Sequence, residues 1–272
     1  MAELDISTAN CIVERDGPVL TVTLNRPEAR NAFTPEMLLG MYRAWRLLDE
    51  DDSLLCGILT AVGDTFCAGM DLKAGAEGNP QATEEFMEVM AEVPNVHWQA
   101  LLRDNRPGKP IILAVEGYAL AGGTEILQGT DIRVGAEDAI FGVTEVARGL
   151  YPMGGSTVRL RRQIPYCLAA EMLLLGETIT AQQAQQYGLI NRVVPKGESL
   201  AEARRIAARL CENAPLAIVA ITRSLREQQE DMEEAAAMEA SDALAGPVFG
   251  SADAKEGMRA FKEKRKAVFK GE

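Results

Sequence analysis

A chain of 272 residues with 47% hydrophobic and 25% charged positions has enough apolar material for one large domain, or for a domain with a helical appendage. A formal net charge of −12 argues against nucleic acid as the main partner, because phosphate binding needs a cationic surface. Five scattered cysteines (Cys11, Cys56, Cys67, Cys167, Cys211) without a Cys-x-x-Cys pair speak against a disulfide framework or a zinc site, and no run approaches the roughly 18 apolar residues of a membrane span, so the expectation is a soluble cytoplasmic chain with no membrane partner.

The N-terminus, Met1-Ala2-Glu3-Leu4-Asp5, is acidic and has no apolar signal core. Residues 12–24 read as a hairpin: Asp16-Gly17 makes the turn, and Leu20, Val22 and Leu24 alternate as in a half-buried strand. Thr34-Pro35 is an N-cap followed by a first-turn proline, opening a helix through Met37, Leu38, Met41 and Trp45 to about Leu48. Residues 57–62 form a short buried strand, and 83–102 a helical stretch interrupted at Pro94. Residues 110–115 are the next buried strand, and further strands are expected at 131–134, 139–142 and 189–194. Thr180-Ala181-Gln182-Gln183 matches a capping box whose helix stops at Gly188.

After Pro195 the pattern changes. Residues 200–211, 216–228 and 254–269 are all helix-like with no strand between them, which divides the chain into an α/β core, 1–195, and a helical region, 196–272. Residues 255–270 carry seven basic side chains against Glu256 and Glu263, a run that fits a solvated helix face. Neither Gly-x-Gly-x-x-Gly nor a Gly-Lys-Thr/Ser phosphate loop is present, so nucleotide binding of those types has little support.

His97 is the single histidine, so a His-rich metal centre is excluded and a Ser-His-Asp triad has only one candidate base, in a stretch with no nucleophile turn. Carboxylates remain for acid–base work. Glu125 closes Ala121-Gly122-Gly123-Thr124-Glu125, a glycine pair entering an apolar, helix-like run; Glu145 closes Phe141-Gly142-Val143-Thr144-Glu145. Upstream, Phe66-Cys67-Ala68-Gly69-Met70-Asp71-Leu72 is a small-residue turn that ends in an acidic helix-start residue. The first N–H groups of a helix have no internal acceptor, so the N–H of Met70 and those of the Gly122-Gly123 pair can serve a ligand oxygen. Taken singly these are ordinary features: small-residue turns serve packing, and a glutamate at a helix start suits the dipole. Two carboxyls beside two such turns describe a site for enolate chemistry.

Taken in order, Asn25-Arg26-Pro27 with Arg30-Asn31-Ala32, the 66–72 turn, Gly117-Tyr118-Ala119-Leu120-Ala121-Gly122-Gly123-Thr124-Glu125, and Phe141–Glu145 with Gly149-Leu150-Tyr151-Pro152 resemble the crotonase (enoyl-CoA hydratase/isomerase) superfamily, most closely its actinobacterial hydratase-type members. The resemblance covers about 13–269. It implies an α/β fold, a spiral of repeated ββα turns with a C-terminal helical trimerisation region, assembled as a homotrimer or a dimer of trimers. It implies an oxyanion hole of the Met70 and Gly122 N–H groups, and acid–base residues at Glu125 and Glu145. For coenzyme A it implies Arg30, Asn31 and Ala32, with Ala68, Asp71 and Leu72 close by. Phe261 and Lys264 match positions that reach the coenzyme A of a neighbouring subunit, which brings the basic tail toward phosphate.

The activity implied is reversible hydration of a trans-2-enoyl-CoA to a 3-hydroxyacyl-CoA, with no metal or other cofactor, coenzyme A being part of the substrate. An isomerase or specialised dehydratase on the same scaffold, and a non-catalytic acyl-CoA binding subunit, are the alternatives. The segment 74–100 is expected to line the acyl pocket. Three residues depart from the family pattern: Met153 follows the proline where hydratases have glycine, Ser156 replaces another glycine, and Met70 stands where a small residue is common.

Overall fold

The computed structural model describes residues 2–72, 82–229, 236, 238, 239, 246 and 249–268. Residues 74–81 of the expected acyl-pocket segment, and Phe269, lie outside these.

The chain opens with β1 (Ala2–Glu3), β2 (Cys11–Asp16) and β3 (Val19–Leu24), the last two joined by Gly17, whose φ of 55° suits a residue without Cβ. Helix α1 (Pro35–Glu50) begins where Thr34 accepts the N–H of Met37, and it buries Met37, Leu38, Met41, Trp45 and Leu48 at helical spacing. After β4 (Cys56–Ala61) come α2 (Glu84–Glu92), capped by Thr83, and α3 (Val96–Ala100), the break between them falling at Pro94. Then follow β5 (Ile111–Val115), β6 (Tyr118–Leu120), α4 (Gly122–Leu127), β7 (Ile132–Ala136), β8 (Ile140–Gly142) and a 3-10 turn, Glu145–Arg148. The chain continues through α5 (Ser156–Gln163), α6 (Tyr166–Leu175), β9 (Ile179–Thr180), α7 (Ala181–Tyr187), β10 (Arg192–Val194), α8 (Ser199–Cys211), α9 (Pro215–Gln229) and α10 (Ala252–Lys262).

Two sheets organise these elements. The larger has the order β1-β2-β3-β4-β5-β7-β10, antiparallel up to β3 and parallel from there on; the smaller has β6-β8-β9. Alternation along the parallel strands sends Leu59, Leu113 and Val115 to one core, shared with α1, and Cys56, Ile58, Ile112, Ala114 and Val134 to another, covered by Ala203, Ile206 and Ala207 of α8. The break in composition at Pro195 is therefore a change of element type, and α8 still covers the sheet.

The register of the smaller sheet positions the site. Cys67, just beyond β4, bridges Ala119 of β6 in parallel, and Ala119 pairs with Phe141 of β8. Three residues beyond each of these stand Met70, Gly122 and Thr144, the last followed by Glu145. Three successive turns of the ββα spiral thus deliver their tips to one place.

Candidate active site

The first two tips interlock through the backbone. Cys67 N–H donates to Tyr118 O, and Leu120 N–H donates to Cys67 O, both at 2.9 Å. Gly69 has φ of 91°, and a Cβ there would stand 2.8 Å from Ala121 Cβ and 3.1 Å from Gly122 N; at Gly123 it would be 2.5 Å from Cys67 O. Glycine is therefore required for the approach at both positions. Ala121 takes φ 52° and ψ −124° as the chain passes from β6 into α4, a conformation that costs a non-glycine residue about 1–3 kcal/mol. Among the described residues, the N–H groups of Met70 and Gly122 have no acceptor within the chain.

The carboxyls lie on the same wall. Glu125, 6% exposed, accepts the N–H of Gly154 on one oxygen (2.9 Å) and that of Ser156 on the other (3.2 Å). A Cβ on Gly154 would lie 2.6 Å from Glu125 Oε2, so this carboxyl needs glycine beneath it. Glu145 starts the 3-10 turn; its Oε2 is buried and has no partner among the described residues. The two carboxyls line one cavity, close enough for the charge of Glu125 to act on Glu145. Burial raises both above the ordinary carboxylate range, and Glu145 is raised well above it because the charge of Glu125 adds to burial. Backbone N–H groups from Ser156 and Gly154, the Ser156 hydroxyl and the charge of Arg103 oppose the rise at Glu125. The pair is asymmetric in its donors: two backbone N–H groups hold Glu125, whereas Oε2 of Glu145 has no partner among the described residues.

A cavity of about 760 Å³ brings these groups together. Met70, Gly122, Glu125 and Glu145 all line it, and so do Arg30, Ala32, Ala68, Asp71, Leu72, Phe261 and Lys264. Asn31 does not. Its side chain is fully buried, accepting the N–H of Arg26 (2.7 Å) and donating to Val62 O (2.9 Å) and Thr65 O (2.7 Å), so it braces the loop from beneath. Arg30 and Asn31 both have positive φ, 53° and 51°, and Ala68 N–H donates to Arg30 O, which ties this loop to the 66–70 turn. Asp71 receives the Arg26 guanidinium at 2.7 Å; the residues that it was expected to precede as a helix start are outside the description beyond Leu72.

Phe261 and Lys264, expected at coenzyme A, stand beside these residues. In the structure they line this chain's own cavity, because α10 lies against the Glu145–Arg148 turn: a Cβ on Gly257 would be 1.7 Å from Arg148 O, and the Arg148 guanidinium sits 5.9 Å from the Phe261 ring centre. His97 is not on the wall; its ring lies 4.6 Å from that of Trp98, which is. Trp98, from the 74–100 segment, and Tyr151, from the 149–152 motif, also line the cavity, as do Leu101, Arg148 and Phe249, which sequence reasoning did not single out. Met70 and Met153 line the cavity and Ser156 holds Glu125, so all three departures from the family pattern fall at the site itself.

A ββα spiral that gathers two unused N–H groups and a buried carboxyl pair at one cavity has the parts of an enzyme that stabilises an enolate. The chain matches Enoyl-CoA hydratase/isomerase over residues 14–272 and belongs to that family, with its crotonase-like fold. It is 50% identical over 263 residues to enoyl-CoA hydratase EchA19 of Mycobacterium tuberculosis, with 97% of each chain covered. It is 37% identical to 2,3-dehydroadipyl-CoA hydratase of Escherichia coli, with 96% of this chain and 98% of the relative covered. Among solved structures, carnitinyl-CoA hydratase from Mycobacterium avium superposes with a TM-score of 0.89 at 35% identity, over 98% of this chain and 100% of that one.

Proposed function

We propose that this protein is an enoyl-CoA hydratase, a carbon–oxygen lyase that adds water reversibly to a trans-2-enoyl-CoA to give a 3-hydroxyacyl-CoA. The observation that carries the reading is the buried carboxyl pair, unequally supplied with donors, beside two N–H groups without acceptors among the described residues. The Glu125 carboxylate takes a proton from water as its oxygen adds to C3. The electron pair of the C=C bond moves onto the thioester oxygen, held by the N–H groups of Met70 and Gly122. Glu145 then delivers its proton to C2, and proton passage from Glu125 to Glu145 restores the pair. Because both carboxyls share one wall, water and proton reach the same face of the alkene. Each oxyanion donor is worth roughly 3–4 kcal/mol in comparable acyl sites. The reading needs no cofactor beyond the coenzyme A of the substrate.

The cavity mouth suits that coenzyme A. Arg30, Arg148, Lys262 and Lys264 line the cavity and fit the phosphates, while Trp98, Leu101, Leu120, Leu150 and Tyr151 offer the acyl group apolar surface. We place the protein in the cytoplasm, where its five free thiols stay reduced; among the described residues no helix is long and apolar enough to cross a membrane. We also propose a homotrimer or a dimer of trimers, supported by the apolar side chains that α6 and α9 leave exposed: Tyr166, Leu174 and Leu175 on one, Leu216, Ile221 and Leu225 on the other. A panel of 2-enoyl-CoA thioesters tests the activity by product mass. Gain of one water supports hydration; double-bond migration without mass change, or binding without turnover, overturns it.

A further inference from the structure

The base of the pair is held by a hydrogen-bond relay that runs back into the fold. Ser156 is fully buried at the start of α5, its N–H donating to one oxygen of Glu125. Its hydroxyl accepts the side-chain N–H of Gln128 (2.7 Å), the residue that ends α4. A serine hydroxyl has one proton, and with its oxygen already receiving Gln128 that proton is left for the Glu125 carboxyl, whose Oε1 the N–H of the same residue already holds and whose rise the hydroxyl opposes. The amide of Gln128 cannot turn over, because the same nitrogen also donates to Thr124 O (3.2 Å), which only accepts. This orientation leaves Gln128 Oε1 buried without a partner among the described residues. The arrangement therefore does not satisfy its own polar atoms; what it fixes is the direction of the Ser156 proton.

We infer that Gln128 and Ser156 are positioning residues that act in series on Glu125, holding its carboxylate in place and charged for the attack of water. This rests on the reading of Glu125 as the base. Ser156 is one of the residues that depart from the family pattern. The charged groups on the elements packed round Glu125 are Glu145 and Arg148 on the turn after β8, Arg103 after α3 and Arg159 in α5; none of them changes in the variants below.

The test is the pH profile of kcat/KM for one 2-enoyl-CoA in the wild type, Ser156→Ala, Gln128→Met and the double variant, with Ser156→Gly as a second hydroxyl-free protein and Glu125→Gln as control. Loss of the donated proton disfavours the carboxylate, so Ser156→Ala and Ser156→Gly should move the acidic limb up by about one pH unit, lowering kcat/KM about tenfold on that limb while KM changes little. Gln128→Met should shift it less, in the same direction. The double variant should shift it no further than Ser156→Ala, because Gln128 acts only through Ser156. An unmoved limb in both Ser156 variants, or a double shift equal to the sum of the singles, overturns the relay while an inactive Glu125→Gln leaves the hydratase reading standing. Normal turnover by Glu125→Gln overturns both.

Discussion

At the residue scale the site depends on how differently two identical side chains are housed. Glu125 receives two backbone N–H groups, whereas one oxygen of Glu145 has no partner among the described residues. A carboxyl raised on folding binds its proton more tightly in the native state, so its contribution to stability is present below the ordinary carboxylate range and is lost as pH rises from that range through its folded pKa. Glu145→Gln removes that titration. Its melting temperature should therefore exceed the wild type's at pH 8, with the gap closing as pH falls toward 4; thermal melts across that range check this, and a constant gap would show that Glu145 is not raised. Both glutamates were legible in the sequence, because each follows a recognisable turn. Which one is supplied with donors was not, since that depends on Gly154 and Ser156, some thirty residues away along the chain.

At the scale of elements, the regular parts follow from local chemistry: caps at Thr34 and Thr180, the break at Pro94, the stop at Gly188. The strand expected at 189–194 is shorter, Arg192–Val194, because Leu189 and Ile190 turn their N–H groups back to Ala184 O and close the end of α7. Helices α5 and α6 were not foreseen. The first follows two glycines, and the second is apolar on nearly all sides, leaving no polar face for periodicity to reveal. The helix expected at 254–269 ends at Lys262, where Lys264 takes φ 53° and Arg265 N–H returns to Ala260 O. That helix is held so closely at Gly257 that Gly257→Ala must push it off Arg148. The expected cost is about 1–3 kcal/mol of stability. Phe261 and Lys264 move with it, so KM for acyl-CoA should rise roughly tenfold, read from melts and initial rates; an unchanged KM would remove α10 from the binding wall.

At the scale of the whole molecule, the spiral makes the site by repetition: equal offsets from Cys67, Ala119 and Phe141 bring three distant turns together. The motifs at those turns were visible one by one, but their convergence is a property of register. The exposed apolar residues of α6 and α9 belong to this scale too. Sedimentation at micromolar concentration should give a trimer or hexamer, and a stable monomer would leave those faces without the partner proposed for them. The central claim, that Glu125 and Glu145 together hydrate an enoyl thioester, is tested most directly by product formation from a 2-enoyl-CoA that the wild type turns over, measured for Glu125→Gln and Glu145→Gln. The account predicts that kcat falls by about 10²–10⁴ in each while KM stays near the wild-type value. Near-normal kcat in either folded variant would contradict it.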